Sequence, residues 1–267
     1  MHVVIFRRKT MGYVDYEVKG QVGVITINRP KALNALNSEV LVDLEAAFDA
    51  VDLSEIRCIV LTGAGEKSFV AGADIGEMST MNAQEGVAFA LHGNAVFRKI
   101  ENFPIPVIAA VNGFALGGGC ELSMSCDIRL AAENAMFGQP EAGLGITPGF
   151  GGTQRLARHI GLGNAKKIIY SCKNIKAPEA LALGLVQDVY PQAELMENAL
   201  KLANKIASNA PVAVRACKEA INVGMQLDID SAVKYEANVF GRTFGVDQKE
   251  AMSAFLEKRD HAPFVNK

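Results

Sequence analysis

The sequence predicts an α/β protein with a helical C-terminal part, on two observations. Short apolar runs of strand type, such as CIVLTG at 58–63 and VIAAV at 107–111, alternate with helix-length segments through about residue 190. After Pro191 the strand signals stop, and ELMENALKLANKIASN opens a series of helical segments. The 267 residues suffice for one large domain, or a domain with a small appendage. The division expected is an α/β core over 11–195, a helical region over 196–267, and an extension over 1–10.

The N-terminal MHVVIFRRKT has four consecutive apolar residues ahead of its basic ones, the reverse of a signal peptide's order. It reads as an untidy extension, or a start-site artefact ahead of Met11. Residues 13–28 read as two strands joined by a turn at Lys19–Gly20. Ser38 is a candidate N-cap, because Val40, Leu41, Leu44 and Phe48 follow at helical spacing. The segment 81–101 reads as a helix ended by Pro104 and Pro106. A glycine-rich turn, a helix near 119–126, the strand DIRLAA and a glycine-rich stretch to 152 follow, with a helix from about Thr153. Pro211 starts one late helix, 228–241 makes another, and 247–258 is an amphipathic tail helix. No repeat of fixed short period is present.

Composition narrows the function classes. Hydrophobic residues make up 49% and charged residues 21%, a globular profile with a sizeable core. A net charge of −2 gives no electrostatic grip on nucleic acid or on an anionic membrane. No apolar run reaches the ~18 residues that span a bilayer. Five scattered cysteines form no CxxC pair and have no histidine at ligand spacing. They are expected to be small buried side chains in a reducing, cytoplasmic protein, with no metal site.

Three familiar motifs fail. VLTGAGEKS follows a strand, but Glu66 stands before Lys67 where a phosphate loop needs glycine, and a carboxylate there repels phosphate. GFALGGGCE lacks the glycine spacing of a dinucleotide fingerprint. There is no GxSxG elbow, and the four histidines have no paired context.

What remains is a pair of glutamates. In PVIAAVNGFALGGGCELSMSCDI a buried strand runs through three glycines into an apolar helix carrying Glu121 in its first turn. The free N–H groups and positive dipole end of such a helix can bind a developing oxyanion, with glycine letting a ligand approach closely. In MFGQPEAGLGITPGFGGTQRL, Glu141 stands among Gly, Ala, Leu and Ile, 20 residues after Glu121. A carboxyl in apolar company has its pKa raised, which suits proton donation near neutral pH. Either glutamate alone is ambiguous, since a first-turn glutamate can simply favour the helix dipole. On glycine-rich turns after consecutive core strands, the two could converge on one cleft. SFVAGADI offers an exposed backbone at 71–74 that could supply a second N–H donor facing Gly118, or could be no more than a tight turn.

NRPKALNALN, SFVAGADI, AAVNGFALGGGCE and FGQPEAGLGITPGFGGTQRL resemble, in order and over about residues 13–260, the signature segments of the crotonase family of enoyl-CoA hydratases and their relatives. The likeness is strongest to bacterial short-chain members acting on crotonyl-CoA and 3-hydroxybutyryl-CoA, enzymes of fatty-acid and butyrate metabolism. The resemblance implies a spiral of ββα units, with a C-terminal helical region that builds trimers, often paired as hexamers. It implies catalytic carboxylates at Glu121 and Glu141, and oxyanion-hole N–H groups at Ala73 and Gly118. Coenzyme A contacts map to Lys31, Ala32, Leu33, Ala71, Ala73, Asp74, Ile75 and Gly76. Gly149 matches a backbone group that helps place water. Phe255 and Lys258 match a segment touching the coenzyme A of a neighbouring subunit. No cofactor is implied, since coenzyme A enters as part of the substrate. Chain-length gating is expected in the 77–100 helix and at 142–146. Relatives on the same scaffold include enoyl-CoA isomerases, decarboxylases and hydrolases, and an isomerase can work with the carboxylate at Glu141 alone. Some members are associated with RNA, a role that the net charge of −2 does not favour.

Overall fold

A computed structural model describes residues 8–266. The described part of the chain opens with three strands, Arg8–Met11 (β1), Val14–Lys19 (β2) and Val22–Ile27 (β3), paired antiparallel. Residues 8–10, expected to belong to an extension, therefore form an edge strand. Their exposed, charged side chains hide the strand from an apolar-pattern reading. The rest of the expected extension, residues 1–7, lies outside the described residues.

Helix α1 (Ser38–Asp49) follows. Its cap is Asn37, whose side chain accepts from the Val40 N–H at 2.9 Å. Ser38, the expected cap, is the first helical residue, and both its N–H and hydroxyl donate to Glu77. Val40, Leu41, Leu44, Ala47 and Phe48 form the buried stripe of α1.

Three successive units then repeat one plan. Each gives a strand to a large sheet, a three-residue strand to a small sheet, and a helix. The first is Cys58–Gly63 (β4), Ser68–Val70 (β5), and the helices Ile75–Met78 (α2) and Ala83–Glu101 (α3), the latter closed by a capping box between Asn82 and Glu85. The second is Val107–Val111 (β6), Phe114–Leu116 (β7) and Gly118–Ser125 (α4). The third is Ile128–Ala132 (β8), Met136–Gly138 (β9), Gly152–Ile160 (α5) and Leu162–Ser171 (α6). Ile175–Lys176 (β10), Ala177–Ala182 (α7) and Asp188–Tyr190 (β11) finish the core. The large sheet runs β1-β2-β3-β4-β6-β8-β11, parallel from β3 onward, and the small sheet runs β10-β9-β7-β5. This is the ββα spiral expected.

The strand period of two sorts the core into two sides. Ile59 and Leu61 of β4 face the main core with α1 and α3, while Cys58 and Val60 face the opposite side. There they meet helix α8 (Leu195–Ala207) through Leu195, Ala199, Ala203 and Ala207, spaced four apart. Three alanines let the helix lie close on the sheet. The expected boundary at 195 thus falls at the start of a helix that covers the α/β core. The helices beyond it are Pro211–Gly224 (α9), Ile229–Arg242 (α10) and Val246–Glu257 (α11). Buried Lys218 of α9 ties this part to the core, its Nζ donating to Asp127 at 2.7 Å and to the Ile105 carbonyl at 3.1 Å. Cys58, Cys120 and Cys126 are buried as expected. Cys172 is half-buried and Cys217 exposed, because each sits on an outer helix or its end.

Candidate active site

The two glutamates meet at the N-terminus of α4. Gly117, ahead of that helix, has φ +49°, and a Cβ there would lie 2.6 Å from Glu141 Oε1. At Gly119 a Cβ would lie 1.9 Å from the Val70 carbonyl, so α4 starts in direct backbone contact with β5. Only glycine permits this turn and this approach.

Glu121 is 1% exposed, and its Oε1 accepts from the N–H groups of Phe150 at 2.8 Å and Gly152 at 2.7 Å. Burial pushes its carboxyl up to about 7, helped by the charge of Glu141 and opposed by those two N–H bonds. Glu141 is 9% exposed and begins a 3₁₀ turn, Glu141–Leu144, directly after Pro140. Burial pushes its carboxyl up to about 7 as well. Gln139 is buried beside both: a Cβ on Gly152 would lie 2.7 Å from the end of the Gln139 side-chain amide and 2.8 Å from Glu121 Oε1. With its amide nitrogen toward Glu141, Gln139 donates to that carboxylate at 3.2 and 3.3 Å.

Both glutamates open onto a cavity of about 1030 Å³ and are the only charged residues lining it among those described. Met78, Met81, Val87, Phe89, Leu144 and Ile146 give it an apolar side. Two backbone donors also face this space. Leu36 bridges to the 72–74 segment through the Gly72 carbonyl and the Asp74 N–H, which leaves the Ala73 N–H outside the pairing. Gly118, as the first residue of α4, has no helical acceptor for its own N–H. A Cβ on Gly118 would lie 3.4 Å from Ala73 N, so the two backbone segments come close together at the cavity wall. Two carboxyls of raised pKa beside two free N–H groups can move protons at a substrate whose oxygen gains charge. Among the described residues no group of three His, Cys, Asp or Glu is placed to hold a metal, and no helix is long and apolar enough to cross a membrane.

Residues 17–265 match the family described as Enoyl-CoA hydratase/isomerase. The chain is 60% identical, over 95% of its length and 98% of the relative's, to a protein of Clostridium acetobutylicum named short-chain-enoyl-CoA hydratase. It is 53% identical to one of Syntrophomonas wolfei named crotonyl-CoA hydratase, over 94% of this chain and 97% of that one. A crystal structure of an enoyl-CoA hydratase from Bacillus anthracis superposes with a TM-score of 0.92 at 41% identity, covering 96% of this chain and all of the other (100%). The chain belongs to the enoyl-CoA hydratase/isomerase family.

The residues that this family likeness singles out fall into two groups. Glu121, Glu141, Ala73, Gly118, Ala71, Ile75 and Gly149 line the cavity, as do several residues of the expected gating segments. Lys31, Ala32, Leu33, Asp74, Gly76, Phe255 and Lys258 do not line it. Lys31 and Ala32 lie in a 3₁₀ turn, Pro30–Ala32, and Leu33 beside it accepts the Ala71 N–H on its carbonyl. Asp74 turns away from the cavity to cap α2 and to pair with Arg29 at 2.6 Å, which holds its carboxyl below the usual range. Phe255 and Lys258 sit at the end of α11, exposed and away from the cavity of their own chain. Two residues that the sequence did not flag serve the site from behind. Asn94 of α3 donates to the Gly149 carbonyl at 2.7 Å, and Arg155 of α5 donates to the Phe150 carbonyl at 2.8 Å. An arginine directly after the glycine-rich stretch, in GGTQRL, was the available signal for the second.

Proposed function

We propose that this enzyme adds water to trans-2-enoyl-CoA thioesters, reversibly, to give 3-hydroxyacyl-CoA, with short chains such as crotonyl-CoA preferred. The observation that carries the reading is the pair of buried carboxyls, each pushed up to about 7, beside two free N–H donors in one cavity. The N–H groups of Ala73 and Gly118 donate to the thioester carbonyl, drawing electrons from the double bond and stabilising enolate-like charge. One such donor is worth about 10²–10³ in rate. Water between the carboxyls attacks C3, Glu121 takes its proton, and Glu141 delivers a proton to C2. Dehydration reverses these roles. Near neutral pH the two carboxyls titrate as a coupled pair, so one acid and one base are available together.

An isomerase needs one carboxylate, and the presence of Glu121 opposite Glu141 favours hydration. Coenzyme A comes with the substrate, and no further cofactor enters this scheme. The exposed apolar side chains Ile221, Met225, Ile229, Phe240, Phe255 and Leu256 on α9 to α11 support a homotrimer or a hexamer of paired trimers. In such an assembly Phe255 and Lys258 could reach a neighbour's coenzyme A. Five free cysteines fit a reducing, cytoplasmic setting.

The test is loss of the enoyl-thioester absorbance of crotonyl-CoA, with Glu141→Gln alongside. Rapid loss in the wild type, and a rate lower by about 10²–10⁴ in the variant with ligand binding kept, is the expected result. Equal rates in both would defeat the role given to Glu141, and no loss in the wild type would defeat the hydratase reading.

A further inference from the structure

We propose that Arg155 is a positioning residue for this reaction, acting with Asn94 to fix the 149–152 loop so that its N–H groups hold the Glu121 carboxylate in place. The inference rests on the reading of Glu121 as the base toward water.

The loop has two faces. Its inward N–H groups, on Phe150 and Gly152, both donate to Glu121 Oε1. Its outward carbonyls are taken by side chains from two other elements: Gly149 by Asn94 at 2.7 Å and Phe150 by Arg155 Nη1 at 2.8 Å. The peptide units of the loop are thus held from behind and point their donors forward. Asn94 is itself fixed, since its Nδ2 also donates to the Ala90 carbonyl at 2.9 Å. Arg155 Nη2 reaches Glu101 of α3 at 3.0 Å, and Glu101 also accepts from Arg98. A Cβ on Gly151 would lie 2.3 Å from Arg155 Nη1 and 3.2 Å from Asn94 Oδ1, so both anchors press on the same residue.

Arg155 is a costly way to fill this space. It is 7% exposed, and its Nε is buried with no hydrogen-bond partner. An apolar side chain would pack there without that penalty. What the arginine adds is a fork that grips the Phe150 carbonyl and a cation behind Glu121. The groups facing Glu121 are Glu141 on the 3₁₀ turn, Cys120 on its own helix and Arg155 on α5. Glu101 and Arg98 of α3 and His159 of α5 stand behind Arg155, and Arg129 of β8 lies beyond α4. Of those facing it, Arg155 is the one whose charge favours ionised Glu121.

The experiment compares Arg155→Gln, Arg155→Lys and Asn94→Ala with the wild type. Three quantities are read: the pH profile of kcat/KM with crotonyl-CoA, the Tm, and the affinity for butyryl-CoA, which has no double bond to hydrate. Arg155→Gln is expected to lower kcat by about 10- to 100-fold with KM within about threefold, as misplacement of a reacting group does. Its acidic limb should move to higher pH, because the cation favouring ionised Glu121 is gone. Arg155→Lys should restore the limb but only part of the rate, since an ammonium cannot grip both partners of the fork. Asn94→Ala should lower kcat and leave the limb in place. An unshifted limb in Arg155→Gln, whether kcat is kept or falls only with Tm, overturns the inference. If Arg155→Gln does not fold, Arg155→Lys decides, and an undiminished kcat in it overturns the proposal. The Glu121 carboxylate infrared band, assigned by difference from Glu121→Gln, is titrated in the same proteins. A wild type inert toward crotonyl-CoA would therefore defeat the hydratase reading, while an unmoved Glu121 band in the Arg155 variants would defeat this one.

Discussion

Gly118→Ala should remove activity and leave the fold intact. The added methyl would lie 3.3 Å from Phe150 Cδ2 and 3.4 Å from both Leu36 Cδ1 and Ala73 N. Those contacts are tight, but a few tenths of an ångström relieve the two to side chains. Gly118 is helical and outside the left-handed region, so alanine is conformationally acceptable and gains about 0.5–1 kcal/mol of helix preference. A substrate oxygen bonded to the Ala73 N–H must sit about 2.9 Å from that nitrogen. The methyl crowds that nitrogen from the Gly118 side, so the oxygen is expected to lose at least one donor. The expected loss in kcat/KM is about 10²–10³, or about 3–4 kcal/mol. The Tm should stay within about 4 °C of the wild type. Gly119→Ala is the control one residue on. Its Cβ would lie 1.9 Å from the Val70 carbonyl, and that atom is backbone and cannot turn aside. Overpacking there should destabilise by about 1–3 kcal/mol or more. Crotonyl-CoA hydration and thermal unfolding are measured on both variants. Wild-type kcat/KM in Gly118→Ala, or equal loss of Tm in the two, would refute the assignment of the oxygen to this point.

Other outcomes follow from the same geometry. Glu141 has its folded pKa raised from 4.5 to about 7, so the folded state holds this proton more tightly than the unfolded chain. The resulting stability is fully present below the unfolded value and is lost as pH rises through the folded one. The wild-type Tm should therefore fall relative to Glu141→Gln between about pH 5 and pH 8, and parallel Tm curves would contradict the raised pKa. Lys218→Met leaves half-buried Asp127 without its cation. It should destabilise by about 3–5 kcal/mol in urea unfolding, with turnover per folded molecule kept, and a change under about 1 kcal/mol would show the pair to be dispensable. Replacing Phe255 and Leu256 on α11 with glutamate should shift sedimentation toward the monomer, and an unchanged coefficient would remove this patch from any subunit contact.

The long elements were legible because each carries its own pattern. β4 and β6 are continuous apolar runs buried on both faces, and α9 announces itself with Pro211 at its first position. The small sheet was hidden. β5, β7 and β9 have three residues each, too few to show an alternation, and each exists only because a partner distant in sequence lies alongside. β1 was hidden for the opposite reason, since its exposed charged residues read as an extension. Helix α8 looked like the start of an appendage, because a stripe of one leucine and three alanines does not state which surface it covers.

The sequence by itself determined the chemistry available: two glutamates placed in glycine-rich, apolar turns, and glycines where a backbone must turn or touch. Only the tertiary structure decided that these groups meet. Glu121 gets its geometry from N–H groups 29 and 31 residues away, and those are aimed by side chains of α3 and α5. Spacing along the chain encodes local conformation. Convergence on one cavity depends on how three ββα units stack, which is set by packing between strands far apart in sequence.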